Sequence, residues 1–165
     1  MRSIDGINTN IPERLYIGID PGKSGAIAIL LDDGTIYIEN YDIGIKNLFD
    51  LLHLSSKYSH ECCIEKVHSF PGQGVSSTFN FGMNYGIWLA MLESNNINYN
   101  NPTPQAWIKH YIPLGKYTKK DRKNKLKAIA QGLHISTKVT LRNADAILLA
   151  EYCRYNAIVN GYTPQ

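Results

Sequence analysis

Three carboxylates in this chain occupy places that are poor choices for stability alone. Asp20 ends one apolar run, LYIGID at 15–20. Glu65 lies inside another, CCIEKV at 62–67. Asp145 falls in the first turn of an otherwise apolar helical stretch, RNADAILLAEYCRYN at 142–156. A carboxylate between Ile64 and Val67 is costly to bury unless it is paired. Lys66 cannot be its partner within a strand, because adjacent side chains point to opposite faces. Carboxylates gathered at one spot repel one another and hold their protons unless a cation neutralises them. Mg²⁺ is a hard cation that prefers such oxygens, and a pair of ions can activate water and stabilise the leaving oxygen in phosphodiester cleavage. Singly, two of the acids have simpler explanations. Asp20 before Pro21-Gly22 can start a turn, and Asp145 suits the positive end of a helix.

The elements that must position these acids follow from periodicity and turn residues. Leu15–Asp20, Gly25–Leu31 and Thr35–Asn40 read as strands, the last two joined by the tight turn Asp32-Asp33-Gly34. Residues 46–58 have helical spacing, Cys62–Val67 reads as a buried strand, and His68–Ser77, with Pro71, Gly72 and Gly74, as a loop. Helices are predicted over about 76–94, 105–111, 119–132 and 142–156, with a further strand at Ile97–Asn100. A meander followed by right-handed crossovers gives an α/β domain: a mixed five-stranded sheet, three strands antiparallel and the rest parallel, flanked by helices on both faces. In that arrangement the carboxyl ends of the first and fourth strands are adjacent, and the last helix can cross them. Residues 1–14 read as a flexible arm and 15–165 as one domain.

Charge is unevenly spread over the 165 residues. Between Lys109 and Lys127 lie eight of the 17 Lys and Arg residues and one acid, Asp121, so this segment is +7 and the rest of a +3 chain is −4. The concentration of Lys119, Lys120, Arg122, Lys123 and Lys125 reads as a phosphate-binding face, with a solvated lysine-rich helix as the competing explanation. At 44% hydrophobic and 19% charged, with mean hydropathy −0.25, the composition suits a water-soluble domain. No apolar run is long enough to cross a bilayer, and the polar start lacks the apolar stretch of a secretory leader. Three cysteines without CxxC spacing suggest neither a disulfide framework nor a zinc site. A cytoplasmic setting is the expectation.

Four ordered blocks resemble RuvC-type Holliday junction resolvases, most closely their phage-encoded branch: GIDPGKSGAIAI at 18–29, IEKVHSFPGQGVSSTFNFGMNYGIW at 64–88, PTPQAWIK at 102–109 and NADAILLAEY at 143–152. The resemblance covers about residues 15–157. It implies an RNase H-like fold, a homodimer without nucleotide cofactor, and Mg²⁺- or Mn²⁺-dependent cutting of four-way DNA junctions by paired symmetric nicks that leave 5′-phosphates, with two ions per site. Asp20, Glu65 and Asp145 match the family's metal-binding acids. The loop 68–74 matches the segment that enters the junction centre, so Phe70 is the candidate wedge, against a core Phe capping the loop. The helix from about Ser76 matches the dimer helix, where Gly82 and Gly86 would allow close contact; packing against the sheet is the alternative. Lys109 and either Lys123 or Lys125 match phosphate-contacting positions, and Lys23, in the turn after Asp20, is a further DNA-binding candidate. His68 is either a proton-transfer aid or a solvated loop histidine.

One departure from the family stands out. Where its members usually carry a fourth acid before the helix aspartate, this chain has Leu141 and Arg142. With 3.6 residues per turn, a helical Arg142 would lie about 60° from Asp145 and face the same site, where it could grip the scissile phosphate. Asn143, about 160° away, is a poor substitute ligand. The missing acid keeps a non-cutting junction-binding protein in contention, alongside a nuclease for flaps or forks. An actin-like or sugar-kinase fold shares the GID strand and glycine turn, but needs two such domains around its nucleotide.

Overall fold

Two turns fold residues 15–40 into an antiparallel meander in the computed structural model, which describes residues 14–68, 72 and 74–160. Strand β1 (Leu15–Ile19) pairs with β2 (Ala26–Leu31), and β2 with β3 (Ile36–Asn40). The second turn closes as its residues dictate: Gly34 takes a left-handed φ of 85°, and Asp33 Oδ1 accepts the Thr35 N–H at 2.8 Å. A 3-10 turn and helix α1 (Ile45–Ser55) then lead to β4 (His60–Ile64), which pairs parallel to β1, with Gly18 opposite Cys63 and Ile19 opposite Ile64. The sheet order is β3-β2-β1-β4. Helices α2 (Val75–Ser94), α3 (Pro104–Tyr111), α4 (Lys119–Leu133) and α5 (Ala144–Val159) complete the chain. The expected arm falls outside the described residues except for Arg14, whose N–H donates to Asp32.

The sheet has four strands among the described residues, not five. The segment predicted as the fifth strand runs beside β4 but pairs through a single parallel bridge, Cys63 with Asn100. Asn100 exchanges two hydrogen bonds with β4, and Lys66 N–H reaches the Pro102 carbonyl. Pro102 and Pro104 have no N–H to donate, so a regular ladder cannot extend through them. Strand β4 also lies earlier than expected. It stops at Ile64, so Glu65 stands just past the strand rather than inside it.

Alternation along the strands divides the core between the two faces. Ile17, Ile19, Ile27, Ile29, Cys62 and Ile64 pack under α1 and α2 with Leu48, Leu52, Trp88 and Leu92. Tyr16, Ala28, Leu30 and Cys63 face α3, α4 and α5. Helix α5 is apolar on nearly every side over its first turns, as a helix enclosed by other elements must be. It lies directly on β1: a Cβ added to Gly18 would stand 2.2 Å from both Ala146 O and Ala150 N. Small residues on both sides bring the two backbones together. The end of α4 is fastened to α5 by a buried polar contact, His134 Nε2 to Glu151 Oε1 at 2.9 Å, and Glu151 is held in turn by Arg154 one turn further along α5, at 2.7 Å from Oε2. No helix among the described residues is long and apolar enough to cross a membrane.

Candidate active site

The parallel pairing of β1 and β4 sets Asp20 and Glu65 side by side, each the first residue beyond its strand. Glu65 N–H donates to the Ile19 carbonyl at 3.0 Å, which continues the ladder one step. The contact of α5 with Gly18 brings the helix start, and with it Asp145, to the same end of β1. All three carboxyls are held above their ordinary values. Burial, then the charges of Asp20 and Asp145, push Glu65 up to about 8, while the Trp107 indole and the Lys123 ammonium oppose the rise. Burial and the charge of Asp20 push Asp145 up to about 6, against Lys123 and Arg122. Burial raises Asp20, opposed by the Gly22 N–H and Lys123. Asp20 also starts the turn that its sequence context suggests, its Oδ1 accepting from Gly22 N–H at 3.0 Å.

The donor chemistry fits a hard divalent ion. Three carboxylates that burial pushes towards protonation, aided at Glu65 and Asp145 by repulsion, are groups that such a cation would return to the charged state. The side chains lie within electrostatic reach of one another but short of a closed ligand set. Among the described residues, no group of three or more His, Cys, Asp or Glu side chains stands close enough to hold a metal ion.

Sequence reasoning overlooked Trp107. Its indole N–H donates to Glu65 Oε2 at 2.7 Å, linking α3 to the acid group across 42 positions. The available signal was a tryptophan inside the block PTPQAWIK, since a buried indole N–H usually finds an acceptor. Helix α3 is well placed to present it, with Pro104 in its first turn and Thr103 Oγ1 capping the Ala106 N–H at 3.2 Å.

The basic residues separate by position. Lys123 opposes the raised values of Asp20, Glu65 and Asp145 alike, and Arg122 that of Asp145. Of the alternatives Lys123 and Lys125, the former is therefore the one that faces the acids; two residues on a helix lie about 200° apart. Lys119, Lys120 and Lys125 are exposed on α4, Lys109 is exposed near the end of α3, and Lys23 is exposed in the turn after Asp20.

Arg142 is not where a helical wheel puts it. Helix α5 begins at Ala144, and the residues before it form a turn in which Asn143 Oδ1 accepts the Thr140 N–H and Thr140 Oγ1 accepts the Arg142 N–H. The Arg142 guanidinium instead pairs with Asp42, just after β3, at 2.8 Å. Asn143 is occupied by this turn, and Leu141 is exposed, so neither replaces the missing acid. Phe70, the candidate wedge, lies outside the described residues.

Helix α2 enters the core from its midpoint onward, through Asn84, Trp88, Met91 and Leu92. Its first half shows solvent an apolar row at four-residue spacing, Val75, Phe79 and Met83, with Phe79 70% exposed. Gly82 and Gly86 are exposed, and a Cβ at either would meet nothing within 4 Å among the described residues. Packing against the sheet does not explain these glycines.

No protein-family model matches the chain, and no curated protein sequence does. Among solved structures, Thermus thermophilus RuvC matches with a TM-score of 0.54 and 14% identity, covering 92% of this chain and 99% of that one. T. thermophilus RuvC in complex with Holliday junction substrate matches with a TM-score of 0.53 and 13% identity over the same shares. At such identities the likeness bears on architecture alone, and by it this chain has a RuvC-like α/β fold.

Proposed function

We propose that the chain is a structure-selective endodeoxyribonuclease that resolves Holliday junctions by paired symmetric nicks, leaving 5′-phosphates. One observation carries this reading. Three carboxylates from the ends of β1 and β4 and the start of α5 share one electrostatic field, opposed by Lys123, on a fold like that of RuvC. The affinity to the phage-encoded branch rests on the four sequence blocks alone.

Asp20, Glu65 and Asp145 would hold the divalent ions, Mg²⁺ or Mn²⁺, whose charge supplies activation of water and stabilisation of the departing oxygen. Lys123 and Arg122 bind the phosphate beside the acids, and Lys109, Lys119, Lys120, Lys125 and Lys23 extend the backbone contact. Such contacts supply affinity without base preference. Phe70 would serve as the wedge at the junction centre. The row Val75, Phe79, Met83 on α2 would join two copies, and twofold symmetry would then set two sites on opposed strands. Residues 15–165 would act as one nuclease domain in the cytoplasm.

The test is cleavage of labelled four-way, three-way, flap and linear DNA in Mg²⁺ and in Mn²⁺, with both incision points mapped. Symmetric nicks confined to the four-way substrate, lost in Asp20→Asn and Glu65→Gln while junction binding persists, are the expected outcome. Full cutting by either variant overturns the site. The second reading, a protein that binds junctions without cutting them, is favoured by the Arg142–Asp42 pair where the family has a fourth acid. Tight binding with no nicks in either metal would establish it.

A further inference from the structure

We infer that Trp107 is a positioning residue for Glu65: its indole N–H engages Oε2 and so fixes the direction in which the carboxyl group is presented to the other acids. This rests on the proposed ion-holding role of the acids.

The geometry makes Trp107 a rigid donor. The N–H to Oε2 distance is 2.7 Å, at the short end of the N–H···O range. The ring is 1% exposed and meets Tyr111 edge-on, with centroids 6.3 Å apart. Tyr111 is itself anchored, its hydroxyl donating to the Leu148 carbonyl at 2.7 Å, so α3 is tied to the same helix that carries Asp145. Glu65 therefore cannot swing its carboxyl group away from this orientation without leaving a buried indole N–H unpaired. Groups that hydrogen-bond a metal-binding carboxylate orient it, and their loss typically weakens metal affinity 10–100-fold. A tryptophan buried only for packing has no such consequence. Trp88 supplies the contrast within the chain: it is fully buried, and its indole N–H has no partner among the described residues.

The chain's two tryptophans allow a direct test on the intact protein. In ¹⁵N-labelled protein, the Trp107 indole N–H resonance is expected to lie downfield of that of Trp88. It should move on addition of Mg²⁺ and in Glu65→Gln, while the Trp88 resonance stays in place. By titration calorimetry, Trp107→Phe should bind Mn²⁺ about 10–100-fold more weakly than the natural chain. If the phenylalanine variant does not fold, the indole shifts in the natural protein decide. An indole resonance indifferent to Mg²⁺, in a protein that calorimetry shows to bind the ion, overturns the positioning role and leaves the acid site standing. Equal Mn²⁺ affinity in a folded Trp107→Phe does the same. If the natural chain binds neither ion, the acid-site reading fails and this one falls with it.

Discussion

Gly18 on β1 and Ala146 on α5 are in backbone contact, with no room for a side chain between them: a Cβ on Gly18 would stand 2.2 Å from the Ala146 carbonyl oxygen. The obstacle is backbone, which cannot swing aside as a flexible side chain can. This contact sets the height of α5 above the sheet, and so the distance of Asp145 from Asp20. Gly18→Ala must lift the helix or tear its first turns. Overpacking of this kind costs about 1–3 kcal/mol, and a lower urea midpoint measures it. Under the proposed function, cleavage should fall further than stability, because the acids separate before the fold is lost.

The pH dependence of stability tests the acid group without any substrate. Glu65 and Asp145 are held up to about 8 and about 6. Both therefore keep protons in the native chain that the unfolded chain releases. The unfolded state then binds fewer protons, and stability falls as pH rises through roughly 4 to 8. In chelator, the urea midpoint is expected to be lower at pH 8 than at pH 5. Glu65→Gln should flatten the upper part of that fall, and an unchanged slope in this variant would refute the buried state of Glu65.

Lys123 and Lys125 share a helix and a charge but not a direction. Lys123→Ala should lower junction cleavage strongly and reduce the salt dependence of binding by about one unit of slope. Lys125→Ala should match it in binding at most and spare the cutting rate. Filter binding over a salt series, with single-turnover cleavage alongside, separates the two.

Phe79 tests the dimer. As it is 70% exposed, Phe79→Glu should leave the fold unchanged. An aromatic at the centre of an interface contributes about 2 kcal/mol or more, so the dimer should weaken about 30-fold or more. Sedimentation of the natural chain as a dimer and of the variant as a monomer is the expected pair of results. The same distribution for both would move the interface elsewhere.

Much of the frame is legible from the amino-acid order. Period-two alternation, the Asp32-Asp33-Gly34 turn and apolar helical spacing are local signals, and the meander, the crossover to β4 and the helices α1 to α5 follow from them. The three acids also stand out locally, because a carboxylate bordering an apolar run is conspicuous wherever the run ends up. Local signals fail where one segment must be compared with another. Residues 97–100 have strand character, yet the prolines that follow leave them a single bridge. Arg142 has helical spacing from Asp145, yet the turn that caps α5 excludes it from the helix and hands it to Asp42, 100 positions away.

The contacts decided by tertiary structure alone are those between side chains on different elements. The Trp107–Glu65 hydrogen bond and the approach of Lys123 to all three acids depend on how α3 and α4 lie across α5, and no periodicity within one element encodes that angle. The sequence supplies the carboxylates, the strands that end at them and the glycine that admits the helix. Packing decides which neighbours hold each carboxylate and how strongly it keeps its proton, because burial and charge act through space and not along the chain.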